Sequence, residues 1–327
     1  MAHKLELSIA VGPYDRTRAL IDGEVAIDGV APIVMTFTPE EMFFRAFRHT
    51  EFDVSELSMS SQVVKVSRGE NAYVGVPVFL SRAFRHTSIY VRRDRIHRPE
   101  DLRGKRIGVP EYQLTANVWA RAILQDDHGV GAADVTWVQG GIDEPGRPEK
   151  IRLALPPSIR VESAPEGDTL SAMLDRGDLD GFIAPRPPSC RNPEVGWLFA
   201  DPTAAAKDYF RRTRVYPIMH VLGVRRALVE QHPWLPAALL KAFEAAKALA
   251  LKRLGDTSAT KVTLPFVEEQ LKAARELLGD DFWSYGVARN RHVVEAFLRH
   301  HHAQGLSSRL VTVDEMFHPA TFEVSQL

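Results

Sequence analysis

The feature that most constrains this chain is a repeated junction at which a short β-type run empties directly into a helical one. It is clearest in GKRIGVPEYQLTANVWARAIL, residues 104–124. Lys105 to Val109 reads as a strand, and Ala116, Trp119, Ala120, Ile123 and Leu124 then recur at helical spacing. Thr115, where the pattern changes, is read as the helix N-cap. A strand that ends at a helix N-terminus presents backbone N–H groups and the positive end of the helix dipole, a setting that favours an anion.

The same alternation runs along the chain. Strand-like runs are LELSIAV, APIVMTF, Phe52 to Leu57, VGVPVFL, TSIYVRR, VTWVQGG, IRVESAP, DGFIAP and VYPIMHVLGVRR. Between and after them lie helical patterns at TPEEMFFRAFRH, TLSAMLDRG and HPWLPAALLKAFEAAKALALKRLG, and around 266–278 and 291–303. GPYDRTR reads as a turn-rich loop, and Asp143 to Pro157 as an irregular tract. Strands alternating with helices predict an α/β chain with parallel or mixed sheets, whose ligands sit at strand carboxyl ends. The segments 12–18, 56–61, 111–116, 184–188 and 216–220 all follow strand-like runs. Together they predict a cleft holding Tyr14, Arg16, Arg18, Glu56, Glu111, Tyr112, Thr115, Arg186 and His220.

Composition narrows the function classes. A net charge of −1 over 327 residues gives no electrostatic pull toward nucleic acid or an acidic membrane. The single cysteine, Cys190, excludes an internal disulfide and a multi-cysteine zinc site, and no neighbour supplies it with a base. The histidines at 300–302 with His292 lack i, i+4 ligand spacing and read as a solvated helix end. MAHKLELSIAVG carries Lys4 and Glu6 where a leader would be apolar, and no stretch is long enough to span a membrane, so a cytoplasmic location is expected.

Taken together, FLSRAFRHTSIYVR, GVPEYQLTANVWARAILQDDHGV, APRPP, YPIMH and FWSYGVARN are similar to the 4,5-dihydroxyphthalate decarboxylase family, and the likeness runs from GPYDRTRAL to MFHP. PEDLRGKRIGVPEYQLTA resembles the entry to the second lobe of type 2 periplasmic binding proteins, the fold on which that family is built. The resemblance implies two α/β lobes with the ligand cleft between them. The crossings are placed near Ile89–Arg93 and Tyr216–Val224, giving lobe one as 1–90 plus 221–327 and lobe two as 91–220.

The substrate so implied is a small aromatic dicarboxylate. It carries two adjacent carboxylates and two adjacent hydroxyls, each hydroxyl para to a carboxylate. Direct loss of CO₂ would leave an aryl carbanion. Protonating the ring carbon first, driven by the para phenolate, avoids it, and CO₂ then departs as the ring regains aromaticity, giving 3,4-dihydroxybenzoate. The substrate is its own electron sink, so no organic cofactor and no metal are expected.

The protein must supply an acid near the ring carbon, for which His86 and His220 are the candidates. Glu111 or Glu56 would take the phenol proton. Arg16, Arg82, Arg85 and Arg186 would clamp carboxylates, arginine's planar fork matching them. Tyr112, Thr115 and the N–H of Ala116 would complete the binding set. If residues 82–91 are extended, Arg82, Phe84 and His86 share one face and Arg85 takes the other, which favours His86. The alternatives are a non-catalytic cytoplasmic binder of a small aromatic or carboxylate anion, and decarboxylation of another hydroxylated benzoate. Homo-oligomerisation is left open.

Overall fold

In the computed structural model, residues 4–147 and 149–322 are described. The strands are β1 (Leu5–Val11), β2 (Val30–Thr36), β3 (Val54–Ser58), β4 (Tyr73–Arg82), β5 (Ile89–Arg92), β6 (Arg106–Val109), β7 (Thr136–Gln139), β8 (Arg160–Ser163), β9 (Gly181–Ile183), β10 (Val195–Trp197) and β11 (Ile218–Arg225). The helices are α1 (Asp15–Ile21), α2 (Pro39–His49), α3 (Met59–Ser67), α4 (Thr115–His128), α5 (Leu170–Arg176), α6 (Pro202–Thr213), α7 (Arg226–Gln231), α8 (Leu235–Leu254), α9 (Val267–Leu278), α10 (Val287–Ala303) and α11 (Val313–Met316). No helix among the described residues is long and apolar enough to cross a membrane.

The chain divides into two compact units. The first comprises Met1–Arg82, Ile218–Val294 and Val311–Leu327, and the second Ala83–Pro217 and Glu295–Leu310. In the first unit a five-stranded sheet runs β2-β1-β3-β11-β4. β1 pairs in parallel with β2 and β3, and β11 is antiparallel to both β3 and β4. Its core includes Ile9, Val54, Leu57, Val76, Phe79, Val221 and Phe243, all essentially without exposure. In the second unit a six-stranded sheet runs β10-β5-β9-β6-β7-β8, with Val138, Leu170, Leu174, Leu179 and Phe182 packed on one another.

These boundaries differ from the sequence expectation in three places. Residues 83–90 belong to the second unit and 218–220 to the first, because β4 and β11 pair all the way from Tyr73↔Arg225 to Ile218↔Arg82 and so end together. Residues 295–310 also belong to the second unit. There Phe297 packs on Trp119, His300 Nε2 meets Asp126 Oδ2 at 2.8 Å, and Gln304 takes the Arg121 Nε donor at 2.6 Å.

Local structure departs from the sequence reading as well. GPYDRTR is not a loop throughout: α1 begins at Asp15, whose carboxylate accepts the Arg16 N–H, and the buried Thr17 hydroxyl accepts from the Tyr14 N–H and donates to the Gly12 carbonyl. Residues 82–91 are not one extended run. β4 stops at Arg82, a 3₁₀ turn occupies His86–Ser88, and β5 starts at Ile89. The face-sharing argument for Arg82, Phe84 and His86 therefore fails. Leu114, not Thr115, holds the cap position of α4; Thr115 is the first helical residue. Glu56 sits inside β3 and not in a loop after it.

Candidate active site

In the first unit a polar group is assembled on the central strands. The register sets Leu222 opposite Glu56 and His220 opposite Ser58. Glu56 and His220 thus share a sheet face as diagonal neighbours, close enough for long side chains to meet. His220 Nδ1 lies 2.6 Å from Glu56 Oε1. On its other side, the β11–β4 pairing shifts register on both flanks of His220, the kind of irregularity that re-aims a side chain. Phe43 meets the imidazole edge-on at 4.8 Å.

Glu56 is wholly buried, so its carboxylate needs donors on every side. Besides His220, it accepts from the Gly12 N–H (2.9 Å, Oε2) and from the Tyr14 hydroxyl (2.9 Å, Oε1). Burial, then the charge of Glu56, pushes the Tyr14 phenol far above its ordinary range, so it remains a donor at any working pH. The Tyr14 ring lies directly over Gly12: a Cβ there would fall 2.3 Å from Cζ of the ring. Gly12 is thus the residue that lets the loop fold back and deliver the hydroxyl. With Nδ1 committed to a carboxylate, the ring orientation is fixed and Nε2 is the nitrogen left for another partner.

Arg16, at the start of α1, is held beside this group. Its Nε donates to the Leu80 carbonyl at 2.6 Å, and Nη1 pairs with Asp15 at 3.2 Å. Its guanidinium lies over two rings, 4.1 Å from the centre of Tyr14 and 4.4 Å from that of Trp283. With Nε occupied, the Nη1–Nη2 edge, where Nη1 meets the exposed Asp15, suits a carboxylate. Arg18 is exposed and pairs with Asp22. Arg82 is buried and committed elsewhere: its Nη2 donates to the Ser284 carbonyl at 2.6 Å and to Asn290 Oδ1.

In the second unit a different ionic cluster forms. Glu111, buried between β6 and α4, receives Lys150 Nζ on both oxygens at 2.6 Å and Arg147 Nε at 2.9 Å. Beside it, burial and then the charge of Glu111 push the Glu149 carboxyl up to about 7. None of Arg147, Glu149 and Lys150 was singled out from sequence, because they lie in an irregular tract that no strand end marks.

The remaining expected residues are placed as follows. His86 is buried against Phe199 and Tyr209, with ring centres 5.2 and 5.5 Å away, and its Nδ1 has no hydrogen-bond partner among the described residues. Burial pulls the His86 imidazole down to about 4, so it is neutral at pH 7. Arg85, half-buried beside Ser88, is pulled down to about 10 by burial and stays charged. Tyr112 is a core residue: its hydroxyl donates to the Gln304 carbonyl at 3.1 Å, and Arg121 lies 4.0 Å over its ring. Thr115 and Ala116 form the buried first turn of α4. Arg186 is exposed in the stretch after β9. The histidine run is not a solvated end, since His300 and His301 are buried and His302 Nδ1 meets the Ser307 carbonyl. Burial pushes the Cys190 thiol up to about 11, which keeps it protonated.

No family model matches the chain. A 4,5-dihydroxyphthalate decarboxylase from Comamonas testosteroni is 60% identical to it over 324 residues, 98% of each chain. A protein of the same name from Pseudomonas putida is 61% identical over 213 residues, 64% of this chain and 83% of that one. Among solved structures, the periplasmic aliphatic sulphonate binding protein of Escherichia coli matches with a TM-score of 0.52 at 12% identity, covering 98% of this chain and 99% of that one. The alkanesulfonate-binding protein of Xanthomonas axonopodis pv. citri, bound to MOPS, matches with a TM-score of 0.52 at 13% identity, covering 97% of this chain and 99% of that one. These two carry the fold alone, a two-lobed periplasmic-binding-protein fold with one α/β sheet in each unit. The near-complete match at 60% identity carries the family: the chain belongs to the 4,5-dihydroxyphthalate decarboxylases.

Proposed function

We propose that this protein is a carbon–carbon lyase that converts 4,5-dihydroxyphthalate to 3,4-dihydroxybenzoate and CO₂, with the chemistry carried by the Glu56–His220 pair. The observation that supports these roles is the 2.6 Å contact between His220 Nδ1 and a buried carboxylate that also holds Tyr14. Glu56 fixes the imidazole, and His220 Nε2 delivers a proton to the ring carbon bearing the leaving carboxylate. The para oxygen, as phenolate, supplies the electron pair for the new C–H bond and becomes a dienone carbonyl. The C–CO₂ bond then breaks, its electron pair restores the aromatic ring and the phenolate, and His220 regains a proton from solvent. The Nη1–Nη2 edge of Arg16 takes a substrate carboxylate in place of the exposed Asp15. His86, neutral in an aromatic surround, is assigned to packing in this scheme, and the acid role falls to His220.

The test is turnover by chelator-treated protein, followed as CO₂ release and formation of 3,4-dihydroxybenzoate. The expected result is decarboxylation by the wild-type chain, with kcat lowered about 10²- to 10⁴-fold by His220→Gln and changed little by His86→Phe. Full activity in His220→Gln would overturn the assignment of the acid. Tight binding of the dianion without any turnover, with or without added divalent metal, would instead establish a binding protein.

A further inference from the structure

We propose that Trp283 is a positioning residue for the substrate carboxylate, acting through Arg16; this rests on the reading of Arg16 given above. A carboxylate recognised at two points requires a guanidinium whose plane is fixed, since misaligned donors lose one of the two hydrogen bonds. Two observations show how the plane of Arg16 is set. Its guanidinium carbon lies over the rings of Tyr14 and Trp283, at 4.1 and 4.4 Å from their centres, while its Nε is tied to the Leu80 carbonyl. Tyr14 is already held by Glu56, so Trp283 is the second wall.

Trp283 is itself fixed twice. Its indole N–H donates to the Phe79 carbonyl at 3.0 Å, one residue before the carbonyl that holds Arg16. The next residue, Ser284, has its carbonyl bound by Arg82, which also grips Asn290 at the start of α10. Asn290 in turn donates to the Gly286 carbonyl at 2.8 Å and closes the turn. Arg82 thus acts on the ligand only at a distance, by anchoring the segment that carries the indole. An aromatic wall holds the charge of the guanidinium without consuming its in-plane donors, which an acidic partner in the same place would do.

The experiment compares Trp283→Phe with Trp283→Leu in the full chain. Both keep an apolar side chain of useful volume, and only phenylalanine keeps a π face. Binding of phthalate, the dicarboxylate without hydroxyls, is measured by calorimetry alongside kcat and KM for 4,5-dihydroxyphthalate. The expected result is a KM and phthalate Kd within about threefold of wild type for Trp283→Phe, and about threefold to thirtyfold higher for Trp283→Leu, with kcat nearly constant. Phthalate should also change the indole fluorescence of the wild type more than that of Trp283→Phe. Equal effects of the two substitutions, or a loss confined to kcat, would overturn the proposal. Arg16→Ala separates the two readings: normal phthalate binding by that variant removes the Arg16 clamp and the role of Trp283 with it. Weakened binding there, with none in Trp283→Leu, removes only the role of Trp283. Phthalate binding reports on Trp283 even if the chain shows no turnover.

Discussion

At the scale of single residues, the polar group of the first unit is built from groups that constrain one another. Glu56 is wholly buried, so every donor it receives has a structural cost if removed. Glu56→Gln keeps the volume but has one acceptor oxygen where the Gly12 N–H on one side and Tyr14 and His220 on the other each meet a carboxylate oxygen, so its NH₂ must face a donor. Its expected effect is a kcat at least about tenfold lower, with the protein still folded, checked by steady-state assay and circular dichroism. Gly12→Ala puts a methyl where the Tyr14 ring now lies, and the ring must move. The expected outcome is loss of the Tyr14–Glu56 hydrogen bond, seen as an activity loss that Tyr14→Phe alone reproduces in direction.

At the scale of elements, β4, an edge strand of the first sheet, is where the chain near residues 316–318 is attached. Phe317 forms a bridge to Gly75 in that strand, and the His318 N–H donates to the Gly75 carbonyl. A Cβ on Gly75 would fall 2.2 Å from the Met316 carbonyl oxygen, a backbone atom that cannot swing away. Gly75→Ala is expected to cost about 1–3 kcal/mol, read as a lower urea midpoint and faster proteolysis near residues 311–322.

The elements also show what sequence makes legible. β1 alternates, β3, β7 and β11 are strand-like runs, and helices α2, α5 and α8 follow helical patterns; the strand ends point to Tyr14, Arg16, Glu56 and His220. α1 was hidden because Gly12, Pro13 and Asp15 are turn formers and the helix has seven residues. The break after Arg82 was hidden because Phe84, Ile89 and Tyr90 continue a β-type composition across a 3₁₀ turn. α6 carries Asp201 as its cap and Pro202 at its start, a readable signal that the apolar content of the segment did not reinforce. Trp283 owes its place to the distant Phe79 carbonyl, and the environment of Glu149 is set in part by the distant Glu111 and Tyr112, which no local pattern encodes.

At the scale of the whole molecule, the buried His86 and the half-buried Glu149 both act on how stability responds to pH, and they oppose each other. His86 falls from an ordinary 6.5 to about 4, so between these values the unfolded chain binds a proton that the folded chain does not. Its contribution therefore makes stability rise with pH through that window, on the order of 3 kcal/mol in all. Glu149 is raised from an ordinary 4.5 to about 7, so between these values the folded chain keeps a proton that the unfolded chain has lost. Its contribution makes stability fall as pH rises. The two slopes offset each other between about pH 5 and 6.5, so that together this pair adds little net slope there. Urea unfolding at a series of pH values checks this: His86→Phe should tilt the profile downward with rising pH, and Glu149→Gln upward. Tilts of the opposite sign, or none, would show that the two groups do not titrate as described.

Four consecutive positions of β4 carry the geometry of the first unit. The Phe79 carbonyl holds Trp283, the Leu80 carbonyl holds Arg16, Ser81 lies in register with His220, and Arg82 anchors the Ser284 turn. The strand thus works as a gauge, with a graduation of about 3.3 Å per residue. Phe79 and Leu80 are core residues, and exchanging either for an apolar side chain of similar volume leaves both carbonyls where they are. Inserting or deleting one residue there would turn every later side chain to the opposite face and shift all the attachments beyond it at once. At 79 and 80 a like-sized apolar exchange is therefore tolerable where a change of length is not, the reverse of what holds for a surface loop.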